Sequence, residues 1–480
     1  MPFFSSKLPN YSGPYQVGVV DIETAVIEKR KISDLLFKDT QKPAFDLDTV
    51  LFSLYYPAVD EAFKPSKPHH PWVPNISQHA EGYARFAGIN NGFVNSVFSW
   101  ALWTLIGSTV VPAEVDTSIY GATPSQAEYS TEIPIQNDGL PTFPVIVFSH
   151  GMASSRLSYT QWCGELASLG FVVAAIEHRD GSGPGSSVTL KDGTTRDVYH
   201  ISESMLDPQP ETSDFKTTQI AMREAEIEET VRVMRQINDG YGKDVYHSNA
   251  RGEGEELAAW RGRLNMNRVV VAGHSYGATT ALQALQGAPN DVRPFVGGLI
   301  LDPGKHSGHL NDDIDVPIVV IHSQSWSARH SIFEGRPHFD VVKDLVKKVM
   351  RNKEDPKNPK AWFMTSKGTS HPSVTDAPLI EPMLLSWTTG STIDVRQGVM
   401  QYVKVGEEFM RYLEDGHRTG VLAEDVTHPN YDEDVRSEKR KETMSKDIAK
   451  YWQIHVTPSL ACPHPGQCGI DVENRDGVIE

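Results

Sequence analysis

Arg268-Val-Val-Val-Ala272-Gly273-His274-Ser275-Tyr276-Gly277-Ala278 is the stretch that decides the fold. Its first half is a continuous apolar run, the composition of a strand buried on both faces. A helix is expected from Tyr276. Between them lies Gly-x-Ser-x-Gly, and small residues two before and two after a serine let a strand and a helix approach closely around a sharp turn. Upstream, Val145-Ile-Val-Phe148 reads as a buried strand, residues 158–169 as a helix ended by Gly170, and Phe171-Val-Val-Ala-Ala-Ile176 as a second buried strand. Strand, helix and strand at this spacing form a right-handed parallel unit. Further strands are expected at 14–21, 48–56, 296–301, 316–321 and 361–364, with a helix over 217–238. The fold class is therefore α/β: a mostly parallel central sheet with helices on both faces.

Ser275 on such an elbow is exposed above the sheet at the positive end of a helix, the place for a nucleophile. Acyl transfer needs N–H donors for the oxyanion. Tyr276, after the serine, supplies one. Met152, in the turn Phe148-Ser-His150-Gly151-Met152 after an earlier strand, supplies the other. The usual place for the acid, after 316–321, holds His322-Ser-Gln-Ser-Trp and no carboxylate. One strand earlier, Leu299-Ile-Leu301 runs into Asp302, which is preferred over Asp312 and Asp315 on an exposed loop. The base is expected after the last strand, and His371 stands there. The order Ser275, Asp302, His371 is the order of the α/β-hydrolase fold. His274 reads as packing or polar support for the elbow formed by Gly273 and Gly277. No spaced His, Asp and Glu set has metal-ligand geometry, so no metal and no cofactor is expected.

The chain of 480 residues carries a formal charge of -17. An acidic surface disfavours nucleic acid, whose phosphates need clustered Lys and Arg. Three cysteines, Cys163, Cys462 and Cys468, are too few for a disulfide framework and suit a reducing compartment. The N-terminus shows no apolar signal region, Pro2 stands where myristoylation needs Gly, and no prenylation box ends the chain. No run reaches about 18 apolar residues. A cytoplasmic location is expected. Residues 1–416 are read as one hydrolase domain with insertions near 181–216 and 239–264, and 417–480 as a polar C-terminal extension with one helix.

Val147-Phe-Ser-His-Gly151, the run Leu166-Ala-Ser-Leu-Gly-Phe-Val-Val-Ala-Ala-Ile-Glu177-His178-Arg179-Asp180 and the elbow together resemble the plasma and type II intracellular platelet-activating-factor acetylhydrolases. Gly13-Pro-Tyr-Gln-Val-Gly18, Leu54-Tyr-Tyr-Pro57 and Trp72-Val-Pro-Asn75 extend the resemblance over most of residues 8–375. It implies a calcium-independent serine esterase that removes short or oxidised sn-2 acyl groups from phospholipids, with Ser275, Asp302 and His371 as triad and Met152 and Tyr276 as oxyanion donors. Pro303-Gly304 stands where the plasma enzymes have Ala-Trp, and the missing bulk predicts a wider acyl pocket.

Phe93-Val-Asn-Ser-Val97-Phe-Ser-Trp100-Ala-Leu-Trp103-Thr-Leu-Ile106 is apolar and aromatic. The resemblance implies a helix on a lipid surface, giving peripheral membrane contact, while the residues themselves equally fit a buried packing helix. Two other functions fit the motifs: a carboxylesterase or dienelactone-hydrolase-like enzyme on small soluble esters, and a non-catalytic lipid-binding hydrolase fold. A full triad argues against the last, because binding needs no exposed elbow serine.

Overall fold

The computed structural model describes residues 7–59, 67–122, 139–190, 192–351, 361–381 and 389–458. The main sheet is built from β1 (Gln16–Lys31), β2 (Asp46–Ala58), β3 (Glu114–Val115), β4 (Phe143–Ser149), β5 (Val172–Ile176), β6 (Leu264–His274), β7 (Phe295–Leu301), β8 (Ile318–Ser323), β9 (Ala361–Ser366) and β10 (Trp452–Val456). Their spatial order is β10-β9-β8-β7-β6-β4-β5-β2-β1-β3. The run from β9 to β5 is parallel throughout, and antiparallel pairs attach β10 at one side and β2 with β1 at the other.

Burial on both faces explains the unbroken apolar strands. Val145 and Val147 of β4 point into one core, and Ile146 and Phe148 into the other. The same period of two divides Ile318 and Val320 from Val319 and Ile321.

The helices are α1 (Ile76–Phe86), α2 (Gly92–Ile106), α3 (Thr160–Ser168), α4 (Thr212–Gln236), α5 (Tyr276–Ala284), α6 (Gln324–Ala328), α7 (His338–Arg351) and α8 (Val395–Asp415). α4, α5 and α7 cover the first core, and α3 and α8 the second. The insertion expected at 181–216 contains an antiparallel hairpin, Gly185–Thr189 with Thr195–Tyr199. That at 239–264 docks against β1, where Asn249 and Glu253 bond the backbone N–H groups of Glu23 and Asp21 at 2.7 Å each.

Residues 417–458 differ from a solvated tail. Val421, Leu422, Met444, Ile448, Trp452 and Ile454 enter the second core. All five residues of β10 are buried beside β9. Trp452-Gln-Ile-His-Val456 does alternate apolar and polar residues, but over only five positions, and the charged stretch before it concealed it. Cys163 is buried and unpaired; Cys462 and Cys468 lie outside the described residues. Among the described residues, no helix is long and apolar enough to cross a membrane.

Candidate active site

Ser275 joins β6 to α5 with φ 57° and ψ -117°. A non-glycine residue held there stores roughly 1–3 kcal/mol of strain, and the turn persists because its surroundings fix it. Ser275 N–H donates to the Leu301 carbonyl at 2.9 Å. A Cβ on Gly273 would stand 2.1 Å from the Gly277 carbonyl oxygen, and one on Gly277 2.0 Å from that of Ser149. The backbones cross too closely for any side chain at either position.

Asp302 follows β7 directly and is 2% exposed. Its Oδ1 accepts from Ser323 N–H at 2.6 Å, and its Oδ2 from Ser323 Oγ at 2.7 Å and His371 Nδ1 at 2.8 Å. Asp312 instead pairs with Lys348, and Asp315 is exposed. His371 opens a short turn after β9, where its N–H donates to Ser325 Oγ at 3.0 Å. Its indole neighbour Trp326 lies 3.9 Å away between ring centres at an interplanar angle of 10°. Because Nδ1 donates to Asp302, Nε2 carries the lone pair that can take a hydroxyl proton.

The turn after β4 sorts its N–H groups by use. Gly151 N–H donates to Tyr159 Oη at 3.1 Å, and Ala153 N–H to the Ser182 carbonyl at 2.8 Å. Met152 N–H, between them, has no acceptor among the described residues. Tyr276 is the first residue of α5, whose N–H has no acceptor within the helix. His150 fixes the peptide that carries the Met152 N–H. Its Nδ1 donates to the Gly151 carbonyl at 2.8 Å, and its Nε2 accepts from His178 N–H at 3.1 Å. In a trans peptide this aims the Met152 N–H away from the held carbonyl. Burial and the Arg223 charge lower His150 to about 4, so the ring stays neutral at ordinary pH.

His274 is buried, with Nδ1 2.8 Å from Tyr159 Oη and its ring 4.5 Å from that of His371. Burial and the adjacent His371 hold it well below the usual histidine range. Ligand atoms of His274, Asp302 and His371 come within 4.8 Å of one another. Within this set Asp302 and His371 bond each other, and Tyr159 Oη bonds His274 Nδ1.

Glu177-His178-Arg179-Asp180 forms the buried frame of this site. Glu177 accepts from Arg156 N–H at 3.0 Å, and His178 bonds Glu226 at 2.6 Å and Ser149 Oγ at 2.7 Å. Arg179 pairs with Glu23, and Asp180 with Arg223 at 2.7 Å. Arg223 in turn donates to the His150 carbonyl at 2.7 Å and lies over the Tyr276 ring at 4.5 Å. Sequence reasoning missed Arg223, Tyr159, Ser323 and Trp326. Only Ser323 left a signal: it stands at the strand end that usually carries the acid, and it bonds Asp302 on the neighbouring strand. The wider pocket expected at Gly304 is also not what the packing gives. A Cβ there would lie 1.7 Å from Ser307 Oγ and 3.1 Å from Thr279 Oγ1, so those side chains fill the space.

A mostly parallel sheet with a strand–serine–helix elbow, and an aspartate after β7 bonded to a histidine after β9 across the end of β8, defines the α/β-hydrolase fold. The chain belongs to the family described as platelet-activating factor acetylhydrolase, isoform II, whose sequence model matches residues 2–419. It is 26% identical over 338 residues to the platelet-activating factor acetylhydrolase of Cavia porcellus, covering 68% of this chain and 62% of that protein. It is 23% identical over 386 residues to the Gallus gallus protein of the same name, covering 77% and 74%. The chain thus spans about three-fifths of the Cavia porcellus relative's length. Among solved structures, a ferulic acid esterase from Streptomyces cinnamoneus superposes with a TM-score of 0.52 at 14% identity, covering 88% of this chain and 97% of that one. That likeness concerns the fold.

Proposed function

We propose that this chain is a serine esterase that hydrolyses short or oxidised sn-2 acyl groups of phospholipids. The observation that carries the chemistry is the Asp302–His371 hydrogen bond of 2.8 Å, placed beside the strained Ser275 elbow. His371 Nε2 takes the Ser275 proton as Oγ attacks the ester carbonyl. Met152 and Tyr276 N–H groups receive the oxyanion, and His371 returns the proton to the leaving lysophospholipid oxygen. Water then attacks the acyl carbonyl as it loses a proton to His371, the bond to Ser275 Oγ breaks to release the acid, and His371 returns that proton to Oγ. Asp302 accepts the Nδ1 hydrogen bond and stabilises the imidazolium. Family membership supports the phospholipid class of substrate.

Peripheral contact with a membrane through α2 belongs to the same proposal. Phe93 is 78%, Val97 44%, Trp100 67% and Trp103 43% exposed, an apolar stripe facing solvent. Leu102, Leu105 and Ile106 on the other side pack near Leu379 and Ile380, a few residues past His371. Neighbouring α1 reaches the turn that holds Met152, where Tyr83 Oη donates to the Ala153 carbonyl at 3.3 Å. We infer that a lipid held on this stripe reaches Ser275 from this side of the molecule.

The test is hydrolysis of phosphatidylcholines with sn-2 chains from acetyl upward, beside p-nitrophenyl esters. Cleavage of the acetyl and butyryl lipids with decline along the series supports the proposal. Brisk turnover of simple esters with none of any phospholipid would reject it in favour of a small-ester hydrolase.

A further inference from the structure

The turn that carries the acid also grips the ring that lies on the base. Trp326 Nε1 donates to the Pro303 carbonyl at 3.0 Å, and Trp326 N–H to Ser323 Oγ at 3.3 Å. Lys305 Nζ lies 4.5 Å from the centre of the same indole. It also donates to the carbonyls of Trp326 and Arg329 at 2.9 Å each. Pro303 and Lys305 are the first and third residues after Asp302.

One hydrogen bond donated by His371 Nδ1 to Asp302 fixes the distance of the imidazole but leaves it free to tilt about that bond. A catalytic base needs both distance and direction. The parallel indole 3.9 Å away removes the tilt. An indole face also favours a cationic partner, and this would make the imidazolium more stable. The Lys305 ammonium over the same indole opposes that gain through its repulsion of a second positive charge.

We propose that Trp326 is the positioning residue of the base and that Lys305, bound to the same indole, lowers the basicity of His371. The proposal rests on the reading of His371 as general base. Tyr402, whose phenol faces Asp302, is held protonated by burial. Asp302 favours the imidazolium and is common to all variants below. His274, His322 and His338 are held low by burial and are neutral. Arg329 lies near Lys305 and His306 near His338, and both are present in every variant. Burial lowers Lys305 to about 8, so the ammonium persists over the range where a histidine titrates.

The experiment measures kcat and KM for p-nitrophenyl acetate from pH 4.5 to 9 in the full chain and in Trp326→Ala, Trp326→Phe, Lys305→Met and His371→Gln. Trp326→Ala should lower kcat roughly 10- to 100-fold with KM little changed, and Trp326→Phe should recover most of it. Lys305→Met should move the acid limb of kcat/KM upward by about half a pH unit. A rise in KM at unchanged kcat in Trp326→Ala would make Trp326 a substrate contact and overturn the positioning role. An acid limb that stays in place or moves down in Lys305→Met would overturn the charge effect. Should Trp326→Ala not fold, Trp326→Phe and Lys305→Met decide alone. Retained activity in His371→Gln would instead refute the base assignment itself, and is read separately from the Trp326 and Lys305 outcomes.

Discussion

Asp302 shows how far single residues can be read. Its place at the end of an apolar strand was legible, because a carboxylate there must be buried and must find partners. His371 was expected as its partner from the chain order of serine, acid and base, whereas the two bonds from Ser323 were not. Ser323 comes from the next strand, and His371 from 69 residues along the chain. Local periodicity carries no information about contacts at that separation. The elbow was legible in full, since sterics at Gly273 and Gly277 admit nothing larger. Asp302→Asn keeps the shape but removes the charge that holds Nδ1 protonated, and should lower kcat by about 10^4-fold. Asp315→Asn, at the exposed rival, should leave kcat within twofold. The reverse pattern in steady-state kinetics would move the acid to the loop.

Among elements, α2 and β10 mark the boundary of what patterning reveals. The apolar character of α2 was plain, but helical spacing alone does not say which face the fold covers. The structure leaves Phe93, Val97, Trp100 and Trp103 outside and packs Leu102 and Ile106 inside. Trp100→Ser with Trp103→Ser should therefore reduce hydrolysis of phospholipid vesicles several-fold while turnover of p-nitrophenyl acetate and the melting temperature hold. Parallel loss of both activities and of stability would show that the tryptophans act as core. For β10 the expectation is the opposite. Ile454 is fully buried against β9, the strand leading to His371. Ile454→Ala should cost about 2–5 kcal/mol in denaturant unfolding. A change under 0.5 kcal/mol would mean that this strand contributes little to the sheet.

Across the whole molecule, buried carboxyls set how stability varies with pH. Burial lifts Glu408 to about 7, with Val421 N–H donating to its Oε2 at 3.0 Å. The unfolded chain releases this proton near pH 4.3 and the folded chain near 7. Between those values the folded state holds more protons, so raising pH through the window removes stability. Glu408→Gln should raise the melting temperature by about 1–3 °C at pH 8 relative to its effect at pH 5. An equal effect at both values would contradict the linkage. At this scale the parallel sheet and the chain order of serine, acid and base were readable from the order of apolar runs and turns along the chain. The framing of the site by Arg223 and Glu177-His178-Arg179-Asp180 was not, because buried ion pairs join segments that no local pattern connects. The central claim is that Ser275 is a nucleophile activated by His371, and labelling by a fluorophosphonate probe tests it most directly. The account predicts stoichiometric labelling of the full chain, located on Ser275 by peptide mass spectrometry and lost in both Ser275→Ala and His371→Gln. Labelling that persists in folded Ser275→Ala, or a full chain that takes no label, would contradict it.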